Sequence, residues 1–464
     1  MRETYDLIVI GSGPAGEKGA AQAAYFGKKV ALVERESDLG GASCNTGSLP
    51  SKTLRESALA LSGLRARDLF GVDLAVRRGT TVQDLLVHER RVTSAEREAI
   101  ELNLRRHEVD VYRGRASFVD PHTISVNADG KPPLAIRGEV ILIATGSSPL
   151  RPAAFPFEHP RIWDSDQVVN MDFMPGRMAI VGGGVIGCEY ACTFAALGVD
   201  VYLVDDRTEL LSFLDSDIWS VLREAMTSLG VRFVTGERVV QCAPEEDIVR
   251  LTLASGRSID VEAVLVAAGR QANTDGLNLA AAGLATDGRG RIGVNSSYQT
   301  AVAHIYAAGD VVGFPALAST SMEQARLAMV HAFELKYKKS AARVLPLGVF
   351  TIPEVSVAGE TERSLREKGV PHIVGRAYYQ GNARGKIIGD TSGILKLLFR
   401  GEDMKLAGIS VLGENASELV HVGVMALMLE ADYTVFIETC FNYPTLGQLY
   451  KYATYDAMGS RAAG

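Results

Sequence analysis

An internal repeat limits what this chain can fold into more than any other feature of the sequence. An apolar run at residues 7–10 leads into Gly11-Ser12-Gly13-Pro14-Ala15-Gly16, and a second apolar run, after a stretch of small residues, ends at Glu34. The same order recurs from Gly182-Gly183-Gly184-Val185-Ile186-Gly187 to Asp205, and in both copies the acid lies 23 residues beyond the first glycine. One such turn alone is weak evidence, but two copies with matching flanks predict two βαβ units in an α/β fold.

Each copy has the residues that a dinucleotide-binding turn needs. The first glycine permits the tight turn, the second lets the backbone approach a pyrophosphate, and the third lets the helix pack on the strand. Free N–H groups at the helix start favour the anion, and an acid after the second strand accepts hydrogen bonds from ribose hydroxyls. These roles fall on Gly11, Gly13, Gly16 and Glu34 in the first copy and on Gly182, Gly184, Gly187 and Asp205 in the second. The sequence therefore predicts two bound dinucleotides.

The second acid leaves the choice of nucleotide open. Asp205 would bind a ribose 2′-hydroxyl and repel a 2′-phosphate, whereas Arg207, two residues on, would bind that phosphate as a bidentate donor. Arg207 is equally well explained as a solvent-exposed loop residue. A site that accepts both NAD(H) and NADP(H) is expected to carry both groups.

Length and composition exclude several classes of protein. A chain of 464 residues with 47% hydrophobic and 22% charged residues predicts several globular domains. The formal charge of −7 gives no reason to expect nucleic-acid binding, and no apolar run is long enough for membrane insertion. Five scattered cysteines fit a reducing compartment, and residues 5–10 already open the first repeat, so we expect a cytoplasmic protein without a cleaved leader.

Two other candidate features are interpreted as structural. Cys188 and Cys192 lie one helical turn apart without a supporting cluster of histidines or cysteines, so no metal site is predicted. His421 has no motif around it and is taken to be a structural residue.

Further motifs accompany the two repeats in a definite order. They are Gly40-Gly41 with Pro50-Ser51-Lys52, then Ala144-Thr145-Gly146, Gly269-Arg270 and Ala308-Gly309-Asp310. From about residue 345 the glycine motifs stop; segments 393–399 and 406–412 predict antiparallel strands, and segments 416–429 and 446–457 predict helices. With these motifs in this order, the chain resembles the flavoprotein disulfide reductase family.

The resemblance implies an α/β fold with two Rossmann-like domains, for FAD and NAD(P), and a C-terminal α+β dimerisation domain. The implied ranges are 1–150 and 275–344 for the FAD domain, 151–274 for the NAD(P) domain and 345–464 for the dimerisation domain. It also implies a homodimer or a higher homo-oligomer, in which the partner's C-terminal segment completes each active site.

The repeats and the resemblance together assign candidate site residues. Lys52 matches the family lysine near flavin N5, Glu189 matches the glutamate paired with that lysine, and Tyr443 stands at the C-terminal acid–base position; these three are the predicted catalytic residues. The predicted cofactor-binding residues are Gly11, Gly13, Gly16, Glu34, Arg35, Gly41, Ser43, Lys52, Ala116, Thr145, Gly146, Asp310, Ala318, Gly182, Gly184, Gly187, Glu189, Asp205, Arg207 and Gly269.

Two departures distinguish this chain from the family's disulfide reductases. Counting back from Lys52, the positions of the two redox-active cysteines hold Ser43 and Ser48, and Cys44 is one place out of register. A serine hydroxyl cannot form a disulfide, so no dithiol relay is expected. The family's C-terminal His-Pro, with a Glu five residues after the His, is replaced by Tyr443-Pro444 and by a glutamine, which cannot readily shuttle protons at neutral pH.

The stretch Phe441-Asn442-Tyr443-Pro444-Thr445 is similar to that of the soluble pyridine nucleotide transhydrogenases within the family. This resemblance implies that hydride passes between NADPH and NAD⁺ through FAD in a ping-pong cycle. Three alternatives stay open: an NAD(P)H:quinone (diaphorase-type) reductase, a flavin-bound scaffold without turnover, and a disulfide reductase that uses Cys44.

Overall fold

Strands and helices alternate through most of the chain, in a computed structural model that describes residues 3–63, 82–338, 340 and 342–463. Within these residues the strands are β1 Glu3–Ile10, β2 Val30–Glu34, β3 Asp110–Arg113, β4 Arg115–Asp120, β5 Thr123–Asn127, β6 Leu134–Ile143, β7 Ser147–Pro149, β8 Ile162–Asp164, β9 Arg177–Val181, β10 Asp200–Asp205, β11 Val231–Thr235, β12 Val239–Pro244, β13 Val249–Leu253, β14 Ser258–Val261, β15 Ala263–Val266, β16 Arg270–Ala272, β17 Ile305–Ala307, β18 Leu347–Val349, β19 Val355–Gly359, β20 His372–Tyr378, β21 Ile394–Arg400 and β22 Leu406–Leu412. The α-helices are α1 Pro14–Tyr25, α2 Gly41–Asn45, α3 Ser48–Leu61, α4 Val82–Arg106, α5 Val185–Ala196, α6 Ser216–Leu229, α7 Ala318–Ala332, α8 Glu362–Glu367, α9 Ala383–Ile387, α10 Ala416–Met428, α11 Thr434–Glu438 and α12 Gln448–Ala463. Short 3-10 helices cover Val168–Asn170, Leu279–Ala282, Asp310–Val312 and Tyr379–Gly381.

The first repeat forms the centre of a seven-stranded sheet. The strand order is β3-β2-β1-β6-β5-β4, and β17 pairs with the end of β6. Strand β1 lies parallel to both neighbours, with Leu7 opposite Val30 on one side and Val140 on the other. Residues 7–10 are buried on both faces, as expected for a parallel strand covered on both sides. Because β17 follows the second repeat in sequence, the chain leaves this sheet and later returns to it.

The second repeat forms the centre of a separate parallel sheet. Its strand order is β11-β10-β9-β15-β8, with β9 and β10 joined by helix α5. An antiparallel sheet of β12, β13 and β14 packs next to it. The short antiparallel pair β7 and β16 connects the two repeats. Both predicted βαβ units are therefore confirmed.

The C-terminal part of the chain is an antiparallel sheet packed against helices. The strand order is β18-β19-β22-β21-β20, and β21 pairs with β22, as the alternating segments predict. Helices α10 and α12 correspond to the two predicted helices and pack on this sheet around buried aromatic residues such as Tyr379, Phe399 and Tyr450. The expected combination of two Rossmann-like units with a C-terminal α+β unit is confirmed.

A buried ion network joins the second sheet to the C-terminal unit. The Lys396 ammonium on β21 is fully buried and lies 3.0 Å from Asp215, 2.7 Å from Asp217 and 2.5 Å from Glu362. Arg376 also pairs with Asp217, at 2.8 Å. These three carboxylates are grouped closely enough to hold a metal ion, but the Lys396 ammonium already occupies the space among them.

Among the described residues, every helix is either too short or too polar to traverse a bilayer.

Candidate active site

A cleft of about 1170 Å³ opens where the two Rossmann-like units meet the C-terminal unit. The first glycine turn, the start of α3 and one face of α5 line it, together with Phe350 and His421 from the C-terminal unit. Of the predicted site residues, those that line the cleft are Gly11, Gly13, Glu34, Arg35, Gly41, Ser43, Lys52, Ala116, Thr145, Gly146, Glu189, Asp310 and Ala318. The structure therefore gathers thirteen predicted residues from distant parts of the sequence around one space.

The first glycine turn is shaped as a dinucleotide-binding turn requires. Gly11 has a φ of +101°, and a Cβ on it would lie 2.4 Å from the Ala144 carbonyl oxygen. A Cβ on Gly16 would lie 1.9 Å from the Gly11 carbonyl oxygen, so only glycine lets helix α1 approach β1 this closely. Gly13, at the N-terminus of α1, faces the cleft.

The second glycine turn repeats the same geometry. Gly182 has a φ of +113°, and its Cβ would lie 2.3 Å from the Ala267 carbonyl oxygen. A Cβ on Gly187 would lie 1.8 Å from the Gly182 carbonyl oxygen, while Gly184 at the N-terminus of α5 has open space in front of it. The open space and the free amides of α5 suit an anionic group such as a pyrophosphate.

Each acid holds its own glycine turn in place. Glu34 accepts hydrogen bonds from the Ser12 amide at 2.8 Å and the Ser12 hydroxyl at 2.6 Å. Asp205 accepts one from the Gly183 amide at 2.5 Å. Ser12 and Gly183 occupy the same position in the two turns, so the equal spacing in the sequence corresponds to an equal hydrogen bond in the structure.

Arg207 is paired with Asp205 rather than free. Its Nε and one terminal nitrogen each lie 2.8 Å from a different oxygen of the Asp205 carboxylate, a bidentate arrangement. Burial opposes ionisation of Asp205, but the hydrogen bonds from Arg207 and from the Gly183 amide outweigh it and lower the pKa of Asp205 below its ordinary value. The Arg207 side chain is 54% exposed, so a ligand can reach it.

The predicted catalytic pair Lys52 and Glu189 is assembled in the cleft. The Lys52 ammonium lies 2.6 Å from Glu189 Oε2, although 137 residues separate them in sequence. Glu189 Oε1 accepts a hydrogen bond from the Phe350 amide at 2.8 Å, and the Lys52 ammonium lies 5.0 Å from the centre of the Phe350 ring. Contacts from the second unit, through Glu189, and from the C-terminal unit, through Phe350, thus fix the position of an ammonium group that belongs to the first unit.

The serines and the nearby cysteine face different ways. Ser43 and Ser48 line the cleft on either side of the short loop between α2 and α3. Cys44 is only 2% exposed, belongs to the apolar core of the first unit, and donates from its sulfur to the Thr93 carbonyl oxygen at 3.7 Å. Burial raises the pKa of the Cys44 thiol to about 11. None of the five cysteines, all of which the structure describes, forms a disulfide.

Several predicted residues lie outside the cleft. Tyr443 is 74% exposed on the C-terminal unit, next to a separate small groove that Pro444 lines, so the structure of one chain does not bring it to Lys52. Gly16 lies behind the first turn. Those that belong to the second unit and do not line the cleft are Gly182, Gly184, Gly187, Asp205, Arg207 and Gly269.

The cleft also holds polar groups that suit a bound cofactor. The hydroxyls of Thr46 and Thr145 are buried, line the cleft and have no hydrogen-bond partner within the described residues. Asp310 already accepts a hydrogen bond from the Ser147 hydroxyl at 2.6 Å. A glycine turn open to an anion, an acid next to that turn and hydroxyls without a partner in the described residues are the polar groups that a bound dinucleotide would satisfy.

Among the lining residues that the sequence did not predict as part of the site, three have distinctive contacts or chemistry. Tyr190 has a buried hydroxyl without a partner in the described part of the chain, and Phe350 supplies the amide that holds Glu189. His421, interpreted from the sequence as structural, is exposed and lines the cleft from α10. Only the position of Tyr190, directly after Glu189, was a usable signal, because the other two reach the cleft through tertiary packing.

Comparisons with known proteins agree with this geometry. The sequence model described as pyridine nucleotide-disulphide oxidoreductase matches residues 5–329, and the dimerisation domain of the same family matches residues 345–454. Proteins named soluble pyridine nucleotide transhydrogenase are 44% identical over all of this chain and 99% of the relative in Mycobacterium bovis, and 40% identical over 98% of both chains in Colwellia psychrerythraea.

Solved structures show the same architecture. The Cu(II) complex of the HOCl-induced flavoprotein disulfide reductase RclA from Escherichia coli has a TM-score of 0.89 at 27% identity, covering 98% of this chain and 99% of that one. LpdA from Mycobacterium tuberculosis also has a TM-score of 0.89 at 27% identity, over 97% and 99% of the two chains. The chain is a pyridine nucleotide flavoenzyme and belongs to the pyridine nucleotide-disulphide oxidoreductase family.

Proposed function

We propose that this protein is an FAD-dependent transhydrogenase that passes hydride between NADPH and NAD⁺ in a ping-pong cycle. The observation that carries the proposal is the assembled Lys52–Glu189 pair, at 2.6 Å, in a cleft where serines stand at both thiol positions. The chain keeps the residues that serve exchange with a nicotinamide and lacks those that serve a disulfide. The relatives named transhydrogenase support the same assignment.

The first unit offers the groups to hold FAD. The turn at Gly11 and Gly13 would receive the pyrophosphate, Glu34 the adenosine ribose, and Thr46 and Thr145 would gain partners for their hydroxyls. When bound, FAD supplies a flavin that can take hydride from one nicotinamide and give it to another.

The residues of the chain orient the reactants and hold charge. Glu189 fixes the Lys52 ammonium, which would stabilise negative charge that develops next to it during hydride transfer. The amide of Phe350 in turn fixes Glu189, so the ammonium is positioned before substrate arrives. Ser43 and Ser48 cannot accept an electron pair as a disulfide would, so the proposed acceptor is a nucleotide that binds in the cleft.

The second unit offers a site that both nucleotides could use in turn. Asp205 supplies acceptors for a ribose 2′-hydroxyl, and the exposed Arg207 supplies a guanidinium for a 2′-phosphate. Since the two groups neutralise each other in this structure, we propose that a bound nucleotide separates the pair: the ribose of NAD(H) would hydrogen-bond to Asp205, and the 2′-phosphate of NADP(H) would bind Arg207.

We further propose that the protein works as a homodimer, with Tyr443 from the partner completing the cleft. The C-terminal unit exposes several large apolar side chains besides Tyr443, among them Met425 at 61%, Leu429 at 73% and Tyr452 at 55% exposure. Exposed apolar surface is a feature of interaction surfaces in proteins. Light scattering on the purified protein should give twice the mass of one chain.

A quinone reductase is the second candidate. His421 and Ser417 on α10 line the same cleft as Ser43 and Ser48, so the cleft offers polar groups that a planar acceptor such as a quinone could contact. A disulfide reductase that uses Cys44 has no support, because that thiol is buried and its pKa is raised to about 11.

One anaerobic experiment separates these functions. FAD-loaded protein is given NADPH and, in parallel, a spectrally distinct NAD⁺ analogue, a soluble quinone and a small disulfide. Rapid reduction of the analogue with negligible reduction of the disulfide supports the transhydrogenase. Rapid reduction of the quinone with slow exchange between nucleotides would overturn it in favour of the second candidate.

A further inference from the structure

The hydroxyl of Tyr190 stands out among the polar groups of the cleft. The hydroxyl is buried and has no hydrogen-bond partner within the described residues. The Tyr190 residue as a whole is 3% exposed and is one of those that line the cleft. The hydroxyl oxygens of Thr46 and Thr145 are also buried and without a partner in the described residues, but they belong to the first unit, where FAD would satisfy them. Tyr190 lies on α5 of the second unit, directly after Glu189, and so belongs to the predicted nicotinamide-nucleotide unit rather than to the FAD unit.

The position of Tyr190 on α5 indicates which part of a ligand it meets. Helix α5 begins after Gly184, whose open turn suits the pyrophosphate, and Tyr190 lies six residues further on, or about 9 Å along the helix axis. Val185, Ile186 and Glu189 line the cleft along the same path. A dinucleotide that places its pyrophosphate at Gly184 and its reactive ring near Lys52 must therefore pass its nicotinamide end along this face.

The chemistry of the hydroxyl fits a neutral amide. Burial raises the pKa of Tyr190 well above its ordinary value, and the neighbouring Glu189 and Asp166 carboxylates add to this, so the hydroxyl keeps its proton at any physiological pH. A buried hydroxyl without a partner costs free energy that a ligand group of matching polarity recovers. The carboxamide of nicotinamide provides both an acceptor and a donor.

We propose that the Tyr190 hydroxyl hydrogen-bonds the carboxamide of the bound nicotinamide and so sets the orientation of the ring. The inference rests on the proposed function, because it needs a nicotinamide nucleotide in the second unit. Tyr190 is a positioning residue: it does not exchange protons or electrons. Since NAD(H) and NADP(H) carry the same carboxamide, this contact serves both nucleotides, whereas Asp205 and Arg207 distinguish them.

The test is Tyr190→Phe in the FAD-loaded protein, which removes one oxygen atom and keeps the ring. Dissociation constants are measured by fluorescence titration for NAD⁺, NADP⁺ and ADP-ribose, the last of which lacks nicotinamide. We expect binding of both NAD⁺ and NADP⁺ to weaken about 3- to 10-fold, as for loss of one neutral hydrogen bond, and binding of ADP-ribose to stay unchanged. Without ligand, the melting temperature should be no lower than that of the wild type, because the Tyr190 hydroxyl has no hydrogen-bond partner to lose among the described residues.

Tyr202→Phe is the matched control. The Tyr202 hydroxyl accepts a hydrogen bond from Arg232 at 3.3 Å, and it does not line the cleft. This variant should bind all three ligands as the wild type does.

Two results would overturn the inference. Equal weakening for ADP-ribose and NAD⁺, with a lower melting temperature, would assign Tyr190 a merely structural role. Unchanged binding of all three ligands would show that the hydroxyl contacts no part of the nucleotide. If the wild type itself binds neither NAD⁺ nor NADP⁺, the proposed function fails first, and the inference fails with it.

Discussion

Replacing Glu189 with glutamine tests whether the Lys52 ammonium is held for catalysis. Glutamine keeps the shape of the side chain and an oxygen for the Phe350 amide, but it removes the negative charge that lies 2.6 Å from the ammonium. A hydrogen bond between charged groups contributes about 1.5–3 kcal/mol. Lys52 is 31% exposed, so solvent screens part of this and the lower end applies. At about 1.4 kcal/mol per factor of ten, we expect hydride transfer from NADPH to slow about 10- to 30-fold.

The assay is anaerobic stopped-flow reduction of the FAD-loaded protein, followed by the bleaching of flavin absorbance at saturating NADPH. Glu17→Gln is the matched control, because Glu17 pairs with Lys18 at 2.8 Å and the exposures of this pair, 31% and 5%, nearly equal the 31% and 8% of Lys52 and Glu189. Glu17 does not line the cleft, so that variant should reduce its flavin at the wild-type rate. A Glu189→Gln rate within twofold of the wild type, or an equal slowing in Glu17→Gln, would refute the reasoning.

Three further predictions concern other parts of the structure. Arg207→Ala should weaken NADP⁺ about tenfold relative to NAD⁺ in separate titrations, since it removes a charged bidentate donor beside Asp205; unchanged NADP⁺ affinity would remove Arg207 from the site. In the folded protein at pH 8, iodoacetamide should alkylate the exposed Cys440 and leave the buried Cys44 unmodified. The pKa of about 11 lowers the thiolate fraction of Cys44 about 100-fold relative to an ordinary thiol. Comparable labelling of Cys44 in peptide mass spectrometry would contradict its burial. Lys396→Met should destabilise the protein by about 3 kcal/mol near pH 7, because three carboxylates lose their buried partner. Burial opposes their charge, but hydrogen bonds from Lys396 hold the pKa of two of these carboxyls, Asp217 and Glu362, below the ordinary value. The stabilisation is therefore present above the unfolded pKa of about 4 and is lost as the pH falls through the folded pKa. In urea unfolding, the free energies of unfolding of the wild type and the variant should converge towards about pH 3.

The parts of the fold that could be predicted from the sequence are those fixed by local geometry. Gly11 and Gly182 adopt positive φ, and Gly16 and Gly187 admit a neighbouring carbonyl, so each turn requires glycine at fixed positions, and two copies with matching flanks make the pattern specific. The acids follow at a set distance because a helix and a strand of set length lie between them. Beyond residue 345, alternation with a period of two residues is likewise a local pattern, and it predicted the antiparallel strands.

Beyond the first glycine turn and Glu34, the candidate site could be predicted only where family resemblance supplied long-range contacts. Lys52 and Glu189 come from different units, and nothing local in the sequence pairs them. The Phe350 amide and His421 were missed because tertiary packing alone brings them to the cleft. The sequence left Arg207 balanced between a phosphate ligand and a loop residue, and the structure adds a third state that neither interpretation included, a bidentate pair with Asp205.

The two nucleotide units differ in a way that fits one resident and one exchanging dinucleotide. In the first unit, the glycine turn and Glu34 line the cleft that the second and C-terminal units help to enclose. In the second unit, the space before Gly184 is open, and the group that pairs with Asp205 is an arginine more than half exposed. A ping-pong cycle needs this asymmetry, since the flavin must stay while two nucleotides take turns. With Cys44 buried away from the cleft and serines at both thiol positions, the proposed cycle would have electrons leave by the path through the second unit by which they enter. In that cycle the shape of the second site, more than any residue next to the flavin, would decide which molecule receives them.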